Sequence, residues 1–269
     1  NSEKFFYHGL DECVFFMDYE QAGVSMPPLK EIEVGIDLEG KEKEFYDYYS
    51  GSVKKMYESA NGNGTKYMSI LAKLTRLRQI CSVPSAISND EDVGKYKDWL
   101  NSAEASTKCG KVSWVVKNVK STEGKIIIFS CFSKSLDVIN FALAKENIKC
   151  FQIDGSVDGE ERKQKLDTFK NGSKRRVLLM TFKTGSKGLN LTCANTIMCF
   201  DKWWNSSDEE QAMHRAWRLG QEKEVVIYKL TTNKSIEDEM MKMIWNQKKE
   251  TKENYKSETT HATSGGKGG

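Results

Sequence analysis

Apolar and polar positions alternate with two different periods along this chain, and the change falls near residue 125. Beyond it, short apolar runs are separated by stretches of helical period. "KIIIFS" (125–130) is a β-branched run, and in "KSLDVINFALAKEN" (134–147) Leu136, Ile139 and Leu143 recur at helical spacing. "KCFQID" then predicts a strand, "GEERKQKLDTFKNG" a helix ending at Asn171-Gly172, and "RRVLLMT" another strand. The series continues with strand "TIMCF", a helix over 207–219, strand "VVIYKLT" and a helix over about 235–249. Strands that are continuous apolar runs, divided by helices of this length, predict an α/β fold: a parallel sheet with helices on both faces.

The first 120 residues are more helical and less regular. "EKEFYDYYSGSVKKMYES" and "TKYMSILAKLTRLRQICSV" predict two helices around an "NGNG" turn at 61–64, and residues 88–110 read as a polar connection. The tail from 251 has almost no apolar residues and is expected to be disordered. All three prolines (27, 28, 84) fall in the first third, so glycine and polar turns must punctuate the remainder.

Composition narrows the class without choosing a function. With 38% hydrophobic and 29% charged residues the chain has the makeup of an ordinary soluble protein, and its net charge of +3 is too small to announce nucleic-acid binding. No run reaches the roughly 18 apolar residues of a membrane span, so an intracellular, non-secreted protein is expected. The seven cysteines contain no C-x-x-C pair, which predicts buried thiols and no metal site.

Candidate chemistry gathers in two stretches. In "EQAMHRAWRLGQ" (210–221), Gln211, Arg215 and Arg218 share one face if the helix runs through them. Two guanidinium forks on one face can grip a phosphoryl group bidentately; pairing with Asp208 to Glu210, or plain solvation, satisfies the same spacing. In "LLMTFKTGSKGLNLT" (178–192), Gly185 and Gly188 lie in a loop directly after a buried strand, where open α/β sheets bind ligands and where glycine lets a backbone approach a phosphate. A structural turn also explains that loop. No G-x-x-x-x-G-K-[ST] phosphate-binding loop occurs; Gly110-Lys111 is followed by Val112, and "DECV" at 11–14 follows no buried strand.

Taken in order, "KIIIFS", Asp154-Gly155, "TFKTGSKGLNLT", "FDKWWN" and "QAMHRAWRLGQ" resemble the second RecA-like lobe of the SWI/SNF family of helicase-like ATPases. Upstream, "MPPLKEIEVGIDLEGKEKEFYDYY" and "LTRLRQICSVPS" resemble that family's segment between its two lobes, and the loop and "LTRLRQIC" lie nearest the branch associated with DNA repair and replication forks. The resemblance covers about 25–250. It implies a remnant of a first lobe at 1–24, a helical inter-lobe segment at 25–120, a RecA-like lobe at 121–250 and a tail at 251–269.

By position, the resemblance makes Arg218 an arginine finger and Arg215 a second contact with ATP. Gln211 and Gly185 would serve nucleotide binding, and Gly188 with Asn190 would approach the ribose. Ser130, Lys134, Thr181 and Lys183 would follow one strand of duplex DNA, with the run Lys170, Lys174, Arg175 and Arg176 either adding to them or forming a solvated turn. ATP and Mg2+ would be held mainly by a first RecA-like lobe, so this chain alone is expected to be inactive; a non-catalytic DNA-binding module is the alternative. Partners would be DNA and nucleosomes, without a membrane, in a nuclear or viral setting. Ser186, Lys187, Ser206, His214, Trp217 and Val83 depart from the family pattern, while both arginines are retained. Trp203-Trp204 reads as packing at a strand end in preference to base stacking.

Overall fold

The computed structural model describes residues 26–59, 64–172, 176–186, 188–202 and 206–239. Trp203-Trp204, "DECV", Lys174, Arg175 and the tail lie outside them. In chain order the elements are β1 (Leu29–Ile36), α1 (Gly40–Glu58), α2 (Gly64–Ser82), α3 (Lys97–Leu100), α4 (Gly110–Ser121), β2 (Ile126–Ser130), α5 (Ser133–Lys145), β3 (Cys150–Ile153), α6 (Gly159–Asn171), β4 (Val177–Thr181), α7 (Phe182–Gly185), β5 (Thr196–Cys199), α8 (Ser206–Met213) and β6 (Val225–Thr232). The six strands form one sheet in the order β1-β6-β5-β2-β4-β3, and every neighbouring pair is parallel.

The apolar runs become central strands because both of their faces are covered. Ile127, Phe129, Leu178, Met180 and Ile197 point to one side, where Leu166 and Phe169 of α6 and Ala212 and Met213 of α8 meet them. Ile126, Ile128, Val177, Leu179 and Met198 point to the other, against Val112, Val115 and Val119 of α4 and Leu136, Ile139 and Leu143 of α5. Burying each large aliphatic side chain contributes about 1.5–3 kcal/mol, so this two-faced core dominates the lobe's stability.

β1 was not foreseen as a strand. Its residues pair in register with β6 from Leu29 opposite Val225 to Ile36 opposite Thr232, so the segment ahead of the helices extends the sheet by one edge strand. Its exposed charges are used: Glu33 pairs with Lys202 and Glu31 with Lys229, each at 3.1 Å.

The helical segment has its own core of Phe45, Tyr49, Leu77 and Ile80 from α1 and α2. The stretch read as a polar connection is more ordered than expected. The 3-10 helix Glu91–Tyr96 and α3 bury Val93, Tyr96, Trp99 and Leu100 in that core, and a 3-10 helix just ahead of the stretch, Pro84–Ile87, adds Ile87. None of the described helices is long and apolar enough to cross a membrane.

The predicted helix over 207–219 ends early. α8 stops at Met213, and tighter bonds from Arg215 N to Ala212 O and from Ala216 N to Met213 O follow it. A tertiary bond fixes this turn: Leu191 N donates to Arg215 O at 2.9 Å. Gly220, at φ +92, reverses the chain. The last predicted helix starts after Ser235 and is described as far as Glu239.

Candidate functional site

Because the sheet is parallel, the loops after β2, β4 and β5 leave from one edge, where an open α/β sheet presents its ligand site. The loop after β4 contains α7, Ser186 and Gly188 to Leu191. From there it runs back toward the start of β5, and it is braced in two places against the turn after α8, which sits by the amino ends of β1, β5 and β6. Arg215 Nη2 donates to Ser186 O at 2.8 Å, and Leu191 N reaches back to Arg215 O. Arg215 is half-buried, and its Nε is buried with no hydrogen-bond partner among the described residues.

Arg218 is exposed beside it. Both line a concavity of about 290 Å3 together with His214, Trp217 and Leu219. The His214 and Trp217 rings stack at 5.1 Å, and Trp217 Nε1 donates to Pro27 O at 2.8 Å. These two departures from the family pattern therefore act as a pair, fixing the floor from which the arginines project. The arginines lie in turns and not on a helix, so helical spacing does not describe their separation. Gln211 is exposed on the last turn of α8.

The two glycines of the loop have different physical causes. Gly188 sits at φ +63 with open space around a hypothetical Cβ, so its backbone conformation requires glycine. Gly185 is buried, and a Cβ there would lie 2.4 Å from Phe129 Cε1. Packing against β2 accounts for Gly185 without reference to nucleotide. Asn190 is exposed, and its Oδ1 accepts from Thr192 N and Thr192 Oγ1 at 3.2 and 3.0 Å, closing its own turn.

Of the residues expected to track DNA, Ser130 is fully buried. Its hydroxyl donates to Asp201 Oδ2 at 2.6 Å. Covered by the helical segment, it cannot contact a backbone at the surface of this chain. Thr181 is half-buried with its hydroxyl donated to Thr184 Oγ1 at 2.9 Å. Lys134 and Lys183 are exposed where the chain leaves the carboxyl ends of β2 and β4. Arg176 immediately precedes β4 at its amino end, where Nη1 and Nη2 donate to Thr122 O and Val119 O at 2.5 and 2.6 Å, so it caps α4.

Reading the sequence missed the polar anchors behind the site. Asp201, 1% exposed, accepts from Ser82 Oγ at 3.0 Å, Ser130 Oγ at 2.6 Å and Cys131 N at 2.7 Å. Arg78 of α2 donates to Lys202 O at 2.7 Å. Together they tie the helical segment to the loops after β2 and β5. Gln221 Nε2 donates to the carbonyls of Thr192 and Ala194 at 3.0 and 2.9 Å, joining the β4 loop to the turn after α8. Charged residues inside otherwise apolar runs, such as Asp201 in "CFDKWW", were the available signal.

Six described cysteines are free, and burial pushes the Cys131 and Cys199 thiols well above their ordinary range. Among the described residues no group of His, Cys, Asp or Glu could hold a metal ion.

Comparison with known proteins bears directly on this geometry. Residues 110–220, from the start of α4 to Gly220, match the helicase conserved C-terminal domain. The chain is 28% identical to a putative helicase, 172L, of Invertebrate iridescent virus 6, over 88% of this chain and 47% of the relative. It is 32% identical to the CHD3-type chromatin-remodeling factor PICKLE of Arabidopsis thaliana, over 81% of this chain and 16% of the relative. It thus spans about half or less of the length of these relatives. Among solved structures, the C-terminal part of the Fun30 ATPase domain superposes with a TM-score of 0.67 at 22% identity, covering 81% of this chain and 90% of that one. The Sulfolobus solfataricus SWI2/SNF2 ATPase core in complex with dsDNA gives 0.64 at 24% identity, with 81% and 44% covered. With both faces of the sheet covered, the arginine turn braced on the β4 loop and these relatives in agreement, the chain carries a helicase conserved C-terminal domain as a RecA-like lobe similar to the C-terminal lobes of SWI/SNF ATPases, with a helical segment ahead of it.

Proposed function

We propose that this chain is the C-terminal motor lobe of a DNA-stimulated ATPase that translocates on duplex DNA and so remodels chromatin or other protein–DNA complexes. The observation that carries the reading is the pair of guanidiniums on one turn. Arg215 Nη2 is anchored on Ser186 O, which braces the turn on the loop after β4, and Arg218 stands exposed beside it. An exposed guanidinium on a braced turn is placed to take a phosphoryl oxygen offered by a facing first lobe. ATP with Mg2+ fits this turn by charge: two guanidiniums stand on it with donors only.

Bound ATP provides the phosphoryl chemistry, and this chain's part is to set Arg218 and Arg215 against the charge that develops. Gln211, Gly188 and Asn190, on the helix and the loop that adjoin this turn, would complete the nucleotide's surroundings. Without a phosphate-binding loop the chain depends on that first lobe for hydrolysis. Lys134 and Lys183 would hold the DNA backbone, a reading supported by the dsDNA complex of the Sulfolobus core. Phosphate contacts carry no sequence information, so this grip would be non-specific. The chromatin-remodelling and viral relatives favour a nuclear or viral setting, with nucleosomes or DNA-repair intermediates as substrates.

The test is Arg218→Ala in the two-lobe protein carrying this chain. Turnover should drop about 10³-fold or more while duplex binding is retained. Unchanged turnover refutes the assignment.

A further inference from the structure

The helices on the face of the sheet opposite α8 carry a second concavity, distinct from the arginine turn. Between α4 and α5 lies a pocket of about 520 Å3, bounded also by the connection at Lys108. Val116 and Ala142 provide apolar lining, while Lys117, Lys120, Lys145 and Lys108 provide the charge, with Glu146 the sole acidic lining residue. Glu146 is already engaged by Lys120 at 2.6 Å. Among the described residues Lys108, Lys117 and Lys145 have no carboxylate within ion-pair distance. Three uncompensated cations therefore ring an apolar floor.

Beside the pocket, Phe141 is 57% exposed, and the Lys145 ammonium sits 4.6 Å from its ring centroid. The walls are preformed, because Val112, Val115 and Val119 of α4 share one buried core with Leu136, Ile139 and Leu143 of α5. A preformed pocket loses little ordering entropy on binding.

We propose that the pocket between α4 and α5 docks an acidic peptide segment of a partner protein, with carboxylates on the lysines and an aliphatic or aromatic side chain on the floor. Charge complementarity calls for an anion, and the apolar floor with Phe141 calls for a ligand that is also hydrophobic. A duplex backbone supplies the first and not the second, so an acidic peptide matches the surface better. Because α4 and α5 cover the face opposite α8, the peptide and a nucleotide at the arginine turn can be held together. Such a surface would recruit the motor to a partner without occupying its cleft.

The experiment measures fluorescence anisotropy of a dye-labelled acidic peptide containing one leucine–phenylalanine pair, titrated with the whole chain. Two variants are compared: Lys117→Glu with Lys145→Glu, which reverses exposed charges, and Ser113→Trp, which fills the mouth from an exposed position on α4. Each should weaken binding about tenfold or more, and so should serine in place of the peptide's apolar pair. Absence of saturable binding by the unmodified chain overturns the proposal, as does equal binding by the charge-reversed variant. Loss of duplex binding in that variant, with duplex DNA displacing the peptide, also overturns it by placing a phosphate backbone in the pocket.

Discussion

Lys111 and Glu237 form an ion pair in which each side chain is only 1% exposed. Lys111 Nζ lies 2.9 and 2.6 Å from the two carboxylate oxygens, and Thr232 N donates to Oε2 at 2.8 Å. The pair fastens the first turn of α4 to the chain leaving β6. Coulombic gain in such a site is offset by desolvation, but removing one partner strands the other charge, at a cost of about 3–5 kcal/mol. Lys111→Met and Glu237→Gln should each lower unfolding free energy by that order in urea titrations. The double variant should lose less than the sum; strict additivity would mean that the two side chains do not act as a pair.

Two glycines three residues apart should respond differently to alanine. At Gly185 the added methyl meets Phe129 Cε1 at 2.4 Å, inside a ring pair in which Phe129 and Phe182 stack at 5.5 Å. Over-packing there should cost about 1–3 kcal/mol and lower the thermal midpoint. At Gly188 the methyl has room, so the cost is that of a left-handed residue, about 1–2 kcal/mol, and it falls on the loop that Arg215 braces. Gly188→Ala in the two-lobe protein should impair turnover more than stability, and Gly185→Ala the reverse. Thermal melts read beside ATPase assays separate them, and equal behaviour would refute the assignment of separate causes.

Exposure divides the residues expected at DNA. Lys134 and Lys183 are at the surface, whereas Ser130 is sealed against Asp201. Replacing both lysines by alanine should flatten the slope of log K against log salt by about 2 units, since each phosphate contact contributes about 0.9. Ser130→Ala should leave that slope unchanged and lower stability instead, because Asp201 loses a buried donor. Duplex titrations at several salt concentrations decide this, and a flattened slope in Ser130→Ala would refute the buried role.

What the sequence makes legible follows from how local the cause is. β2, β4 and β5 are apolar runs because neighbours cover both faces, and α5 and α6 show their buried stripes directly. β1 was not recognised, because an edge strand keeps exposed Lys30, Glu31 and Glu33 among its apolar residues, and its partner β6 lies far along the chain. α8 ends early because Leu191 N takes Arg215 O, a bond no helical period can announce. The arginine turn and the β4 loop stand out in the sequence by residue type and order, and the fold sets them side by side. The role of Ser130 does not stand out, because burial depends on Asp201, 71 positions away. Trp99 and Leu100 were passed over for a related reason: they lie within a polar stretch, and only the fold brings α3 against α1.

Glu42 of α1 ties the helical segment to the start of α4 by accepting from Gly110 N at 3.1 Å. Burial holds its carboxyl above the usual glutamate value of 4.5; the Gly110 hydrogen bond and Lys111 oppose this without cancelling it. A carboxyl whose pKa is raised on folding binds protons more readily folded than unfolded. It therefore costs no ionisation energy below about pH 4.5 and destabilises increasingly as pH rises through the folded value. Glutamine keeps an oxygen for Gly110 N and carries no charge to desolvate. Glu42→Gln should therefore melt higher than the parent at pH 7, with an advantage that shrinks as pH falls and vanishes near pH 4. Thermal melts across that range check the sign. A variant less stable at pH 7 and equal at pH 4 would show that attraction to Lys111 outweighs burial.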